Sequence, residues 1–164
     1  MKKIILFLAL ASTVGCRDHK NEIKTGFEGK PLPSFNVLLM DSTTKLNTEN
    51  IPSGEPVVVF YFNPYCPFCR AQTEEMLGNI KSLKNIRFYL VSNFPFEMIK
   101  KYYSDFQLNK YSNITVVQDY DAYFGNYYKA PGVPYIAIYN KEKILKKAFI
   151  GQLGSSDIKS LSVE

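Results

Sequence analysis

The chain has 164 residues, room for one compact domain but not for two of ordinary size. Apolar residues make up 46% and charged residues 21%, so a core can form without disulfide staples and a small cysteine-stapled scaffold is excluded. The formal charge of +5 is spread along the chain, with no basic stripe interleaved with stacking aromatics, which argues against a nucleic-acid partner.

Met1-Lys2-Lys3 is a short cationic start, and Ile4–Ala11 is an apolar run far below the roughly 20 residues a spanning helix needs. Small residues follow, Ser12-Thr13-Val14-Gly15, and then Cys16. This segment resembles the lipobox of bacterial lipoproteins, although Thr13 stands where leucine is usual. The resemblance implies cleavage before Cys16 and a diacylglycerol group on its sulfur. Residues 1–15 are therefore expected to be a lipoprotein signal peptide, and residues 16–30 the lipidated Cys16 and a flexible tether. That tether, Arg17 to Lys30, is polar and contains glycine, and it holds the only histidine, His19. The domain proper is expected over residues 31–164. It would be anchored outside the cytoplasm, on the periplasmic side or alternatively at the cell surface.

Within the domain, Phe35–Met40 reads as a strand, Asp41-Ser42 as a turn and Thr43–Leu46 as the returning strand. Thr48–Ile51 fits one helical turn. Pro56–Phe62 is β-branched and aromatic with no polar alternation, which predicts a central strand covered on both faces. Pro67 to about Leu83 reads as a helix, Ile86–Ser92 as a second buried strand, and Pro95–Phe106 as a helix with Glu97 early and Lys100 and Lys101 later. Ile114–Gln118 follows as a strand, Tyr120–Tyr128 as a helix and Tyr135–Tyr139 as a strand. A turn at 140–143 leads into Ile144–Ile150, and Ser156 or Asp157 is placed to cap a final helix. The alternation predicts a mixed α/β sheet with a parallel core, an antiparallel edge, helices on both faces and an N-terminal β-hairpin extension. The spacing of Tyr120, Tyr123, Phe124 and Tyr127 predicts a buried helix face, with a substrate groove as the alternative.

Chemistry concentrates at Cys66-Pro67-Phe68-Cys69, between the strongest strand and the helix after it. A cysteine at a helix N-terminus meets unpaired backbone N–H groups and the positive end of the dipole, which favour thiolate. Pro67 suits the first helical position, where its missing N–H costs nothing. Cys69 falls one turn deeper, so Cys66 is expected to be the outer nucleophile and Cys69 the resolving thiol. A zinc site would need four ligands and only one cysteine pair is available, so no metal is expected.

PVVVFYFNPYCPFCR (Pro56–Arg70), APGVPYIAIYN (Ala130–Asn140) and the hairpin before them resemble the thioredoxin-like fold, and within it the membrane-tethered TlpA-like redoxins. The resemblance spans about Pro31 to Glu164. It implies a thiol–disulfide oxidoreductase with no cofactor, protein thiol and disulfide clients, an upstream thiol–disulfide electron donor, and a redox-active Cys66–Cys69 disulfide. It also implies a cis-proline at Pro134, with the backbone of Val133 pairing to substrate and Tyr65 forming an aromatic lid. Tyr65 stands where tryptophan is common, and Tyr135 where threonine is common. Gln72 stands where many TlpA-like members carry a glutamate that shuttles protons for the inner thiol. Phe60 stands where thioredoxins carry a buried aspartate. Glu75 is the remaining candidate for a displaced relay. Three alternatives stay open: a binding module that keeps the fold without catalysis, a thiol peroxidase, for which Asn63 stands where threonine is wanted, and a purely structural disulfide.

Overall fold

In the computed structural model, residues 21–163 are described; Cys16, His19 and the expected signal peptide lie outside them. The run Val57–Tyr61 forms a strand (β4) buried at every residue. Its side chains alternate between two cores, as the two-residue period of a strand requires. Val58 and Phe60 face one core, and Val57, Val59 and Tyr61 the other. Continuous burial on both faces explains the lack of polar alternation in the sequence.

The other strands are β1 (Glu22–Ile23), β2 (Asn36–Leu39), β3 (Lys45–Asn47), β5 (Arg87–Ser92), β6 (Ile114–Gln118), β7 (Tyr135–Tyr139) and β8 (Leu145–Ile150). They form one sheet in the order β1-β8-β7-β4-β5-β6-β2-β3. The pairs β4–β5 and β5–β6 are parallel, while β7, β8 and the β2–β3 hairpin run antiparallel to their neighbours. The expected parallel core with antiparallel edges is therefore present. Helices α1 (Pro67–Gly78), α2 (Phe96–Asp105) and α4 (Ser155–Val163) supply Met76, Ile99, Tyr102, Ile158 and Leu161 to the first core. Helix α3 (Tyr123–Tyr128) supplies Phe124 and Tyr128 to the second. No helix among the described residues is long and apolar enough to cross a membrane.

Four expectations are corrected. The helix expected to run to Leu83 ends at Gly78, and a separate 3₁₀ turn spans Ile80–Leu83. Glycine is a poor helix former, and the Asn79 side chain donates to the Glu75 carbonyl, closing the last turn.

The helix expected from Tyr120 begins at Tyr123. The carboxylate of Asp119, fully buried, accepts from the backbone N–H of Tyr123 (2.9 Å) and Phe124 (2.8 Å), while Ala122 takes a left-handed conformation at φ 52°. Burial pushes the Asp119 carboxyl above its ordinary range, and these two N–H groups pull it back. Asp119→Ala should remove both bonds and cost about 1–2 kcal/mol, the usual range for a lost cap. Urea unfolding measures this, and a loss below about 0.3 kcal/mol would show that water replaces the cap.

The aromatic stripe is only partly core. Phe124 is buried, but Tyr120 and Tyr123 are exposed and Tyr127 is half-buried. Tyr128, outside the expected set, takes the buried role, while Gly125 on the same helix approaches Tyr61 of β4. A Cβ on Gly125 would lie 2.8 Å from the Tyr61 hydroxyl oxygen, so any side chain there would force the Tyr61 ring to shift.

The fourth correction concerns the tether. From Asn21 the chain is already part of the sheet: Glu22 and Ile23 pair with Phe149 and Ala148, and Pro31 bridges to Ile144. Phe27 stacks on Tyr127 at 4.5 Å between ring centroids, and Glu28 accepts from the N–H groups of Thr25 and Gly26. This segment covers the open edge of β8, whose backbone groups would otherwise go unpaired. Two-residue pairing inside a polar stretch leaves no hydrophobic period to read.

Candidate active site

The ladder of β4 extends one residue beyond the strand, with the Phe62 N–H donating to the Val91 carbonyl at 2.9 Å. Asn63 then reverses the chain. Its side-chain oxygen accepts from Tyr65 N–H (2.8 Å) and its carbonyl accepts from Cys66 N–H (3.1 Å). This Asx-type turn delivers Cys66 to the N-cap of α1, with Pro67 as the first helical residue. Cys66 makes no side-chain capping bond, so its sulfur is left to other partners.

The two thiols, both free, sit in different environments. Cys66 is half-buried, while Cys69 is fully buried among the residues of the first core. Burial pushes the Cys69 thiol well above its ordinary range, and its hydrogen bond to Cys66 reinforces this, opposed by the backbone N–H of Asn63. Cys69 is thus held as the thiol. Helix α2 holds the inner cysteine from behind: the Tyr102 hydroxyl donates to the Cys69 carbonyl at 3.1 Å and accepts from Thr73 Oγ1 at 2.6 Å.

On the outer side, the Cys66 sulfur lies 3.8 Å from the Val133 carbonyl oxygen. The Val133–Pro134 peptide bond is cis, and the loop is fastened by Gly151 N–H donating to the Pro134 carbonyl at 2.7 Å. Gly151 has φ 84°, a left-handed conformation that suits glycine. Tyr65 and Phe68, close to Cys66 in the chain, are exposed at 64% and 62%, and Met98 lines a surface pocket with Tyr65, so an apolar rim lies beside the outer thiol. Tyr65 meets Phe94 edge-on at 6.5 Å. The neighbouring cation does not reach the thiols: Arg70 lies 4.7 Å over the Phe106 ring and 3.8 Å from the Asp105 carboxylate.

No model of a known protein family matches the sequence, and no curated protein matches it. Solved structures do. A secreted disulfide oxidoreductase of Mycobacterium tuberculosis, described as homologous to DsbE of E. coli, superposes with a TM-score of 0.64 at 16% identity over 78% of this chain and 93% of that one. The thioredoxin domain of a thiol–disulfide oxidoreductase from Bacteroides vulgatus gives 0.63 at 21% identity, covering 81% and 93%. StoA of Bacillus subtilis gives 0.59 at 16% identity, covering 81% and 98%. The fold is thioredoxin-like. At these identities the likeness establishes architecture, and the chemistry has to be read from the residues of this chain.

Among the expected site residues, Cys66, Cys69, Tyr65, Val133 and Pro134 come together at one end of the sheet. Neither Gln72, at the position of the missing relay acid, nor Glu75, the one candidate for a displaced relay, joins them. The side chain of Gln72 is spent on Leu153, donating to its carbonyl at 3.0 Å and accepting from its N–H at 2.7 Å. Glu75 accepts from Ser155 N–H at 3.1 Å and so fastens the start of α4. Phe60 is core. Thr73 and Tyr102 were not singled out from the sequence, and Asn63 was marked only as standing where a peroxidase wants threonine, not as the turn that delivers Cys66. Asn63-Pro64 does carry a turn signal, but nothing in the sequence indicates that a tyrosine over thirty residues away reaches the Cys69 carbonyl.

Proposed function

We propose that this chain is an extracytoplasmic thiol–disulfide oxidoreductase that reduces protein disulfides through Cys66 and Cys69, held to a membrane by a lipid on Cys16. The observation that carries the reading is the asymmetry of the pair: an accessible sulfur at a helix N-cap, and one turn deeper a fully buried thiol that burial keeps protonated. The solved structures described as disulfide oxidoreductases support it, as does the apolar rim, which fits a polypeptide better than a small polar substrate.

The Cys66 thiolate attacks one sulfur of a client disulfide. A Cys66–client bond forms, the client S–S bond breaks, and the client's other sulfur leaves as a thiolate. Cys69 then loses its proton and attacks the Cys66 sulfur. The intramolecular disulfide forms, the second client sulfur is released and takes up a proton, and two electrons have passed to the client. An upstream dithiol reverses these steps on the protein to regenerate the pair. The extended backbone of a client lies beside Val133, with Tyr65 and Phe68 against its apolar side chains.

The full chain in detergent should reduce insulin with dithiothreitol as donor, well above the uncatalysed rate. Turbidity equal to the dithiothreitol control would overturn the disulfide-reductase reading. Intact mass of protein from native membranes should show a terminus at Cys16 with added acyl mass, and any other mature terminus would remove the anchor.

A further inference from the structure

The described chain enters the fold at the redox end of the sheet. Tyr61, the last residue of β4 before the Cys66 loop, is paired with Tyr135, and Tyr135 with Ile150. Ile150 N–H in turn donates to the Asn21 carbonyl at 3.0 Å, and the Asn21 side chain donates to the Gln152 carbonyl at 3.0 Å. Asn21, Ile150, Tyr135 and Tyr61 therefore form one row across four strands. With strands about 4.8 Å apart, Asn21 lies roughly 14 Å from Tyr61 along that row. The Gly151–Pro134 hydrogen bond ties the same corner to the cis-proline loop.

Five residue steps separate Cys16 from Asn21. Even fully extended they span at most about 18 Å. Entry from the opposite end of β8 would have displaced the anchor by a strand length along the strand axis, about 17 Å for five steps, raising the separation to about 22 Å. Resting on the proposed lipidation of Cys16 and the proposed redox role of Cys66, we infer that the chain's point of entry holds the redox end at the membrane surface, so that the pair serves disulfides of proteins held on that same membrane and presented close to it.

The rim favours a protein over the lipid itself. Tyr65, Phe68 and Met98 are apolar and exposed, but the nearby cations are already engaged, Lys101 with Asp105 at 2.8 Å and Arg70 with the same carboxylate. A surface reading anionic headgroups would keep such cations free. The Val133 carbonyl beside Cys66 suits a polypeptide backbone.

The test uses the full-length lipoprotein in phosphatidylcholine vesicles. A disulfide-bonded peptide is coupled to lipid headgroups either directly or through a rigid helical stalk of about 60 Å, which takes about 40 residues. The native protein should reduce the surface-held peptide at least tenfold faster than the raised one. A variant with twenty Gly/Ser residues inserted between Lys20 and Asn21, adding a root-mean-square reach of about 25 Å, should lose most of that preference while reducing free insulin at the native rate. Equal rates at both heights for the native protein would overturn the inference alone. An unacylated Cys16 by mass, or no reduction of insulin, would instead identify failure of the anchor or of the redox reading, and either removes the inference. Alkylation of Cys66 by a lipid-partitioned maleimide but not by a water-soluble one would place the rim in lipid and also overturn it.

Discussion

Replacing Cys66 with serine should abolish disulfide reduction, whereas replacing Cys69 with serine should accumulate mixed disulfides between Cys66 and client proteins. The two outcomes differ because the two sulfurs stand at different depths on one helix turn. Cys66 caps α1 with its sulfur in reach of solvent and of the apolar rim. Cys69 is fully buried and held by Tyr102 and Asn63. Without Cys66 no exposed thiol remains among the described residues to attack. Without Cys69 the attack still occurs but nothing cleaves the adduct. In the reduced native protein, iodoacetamide should therefore label Cys66 and leave Cys69 unmodified until the chain is unfolded. The sign of the pH dependence follows from the same burial. Cys69 resolves only as thiolate, and burial keeps it protonated, so the resolving step should quicken as pH rises through neutrality. Peptide mapping of the alkylated protein and non-reducing electrophoresis of the serine variants check all of this. Labelling of Cys69 in the folded protein, or native turnover by Cys69→Ser, would reverse the roles.

What could be read in the sequence depended on how local the signal was. β6 and β7 ended where expected, because β-branched and aromatic runs are bounded by turn residues on both sides. The placement of the cysteine pair at a helix start was equally legible, since strand, turn, Pro67 and helix are contiguous. The start of α3 was not, because it is set by the single buried carboxylate of Asp119 rather than by the aromatic period. Nor was the pairing of Glu22 and Ile23 with β8, about 125 residues away, which is fixed by an unpaired sheet edge and by no property of the segment itself. Gln72 is the most instructive residue. The family resemblance marked its position as a proton relay that had lost its acid. The structure assigns its amide to a backbone clamp on the strand-to-α4 connection. That role needs a donor and an acceptor together, which glutamine has and an ionised glutamate lacks.

Gln72→Glu should accordingly make the stability of the fold pH-dependent before it changes any redox step. The side chain is buried and lies among Val58, Phe60, Met76, Phe88, Ile136 and Ile158, with the Leu153 peptide as its polar contact. A protonated glutamate can reproduce both bonds, its hydroxyl donating to the Leu153 carbonyl and its other oxygen accepting from the N–H. An ionised one sets a charge against that carbonyl in an apolar site, at a cost of several kcal/mol. The folded-state pKa of the new carboxyl must therefore rise above the roughly 4.3 of the unfolded chain. Below about pH 4 both states are protonated and the variant should approach the native protein. As pH increases, the unfolded chain ionises first, and stability should fall by about 1.4 kcal/mol per unit until the folded carboxyl ionises too. A rise of two to three units gives a total loss of about 3–4 kcal/mol at neutral pH. Urea midpoints of the variant and the native protein, compared between pH 4 and 8, measure the difference directly. A variant that tracks the native protein across that range would show that the carboxyl turns away from Leu153 and finds water. Gln72→Leu separates the clamp from the charge. It should lose both hydrogen bonds and destabilise the fold by a similar amount at every pH, because nothing in it titrates.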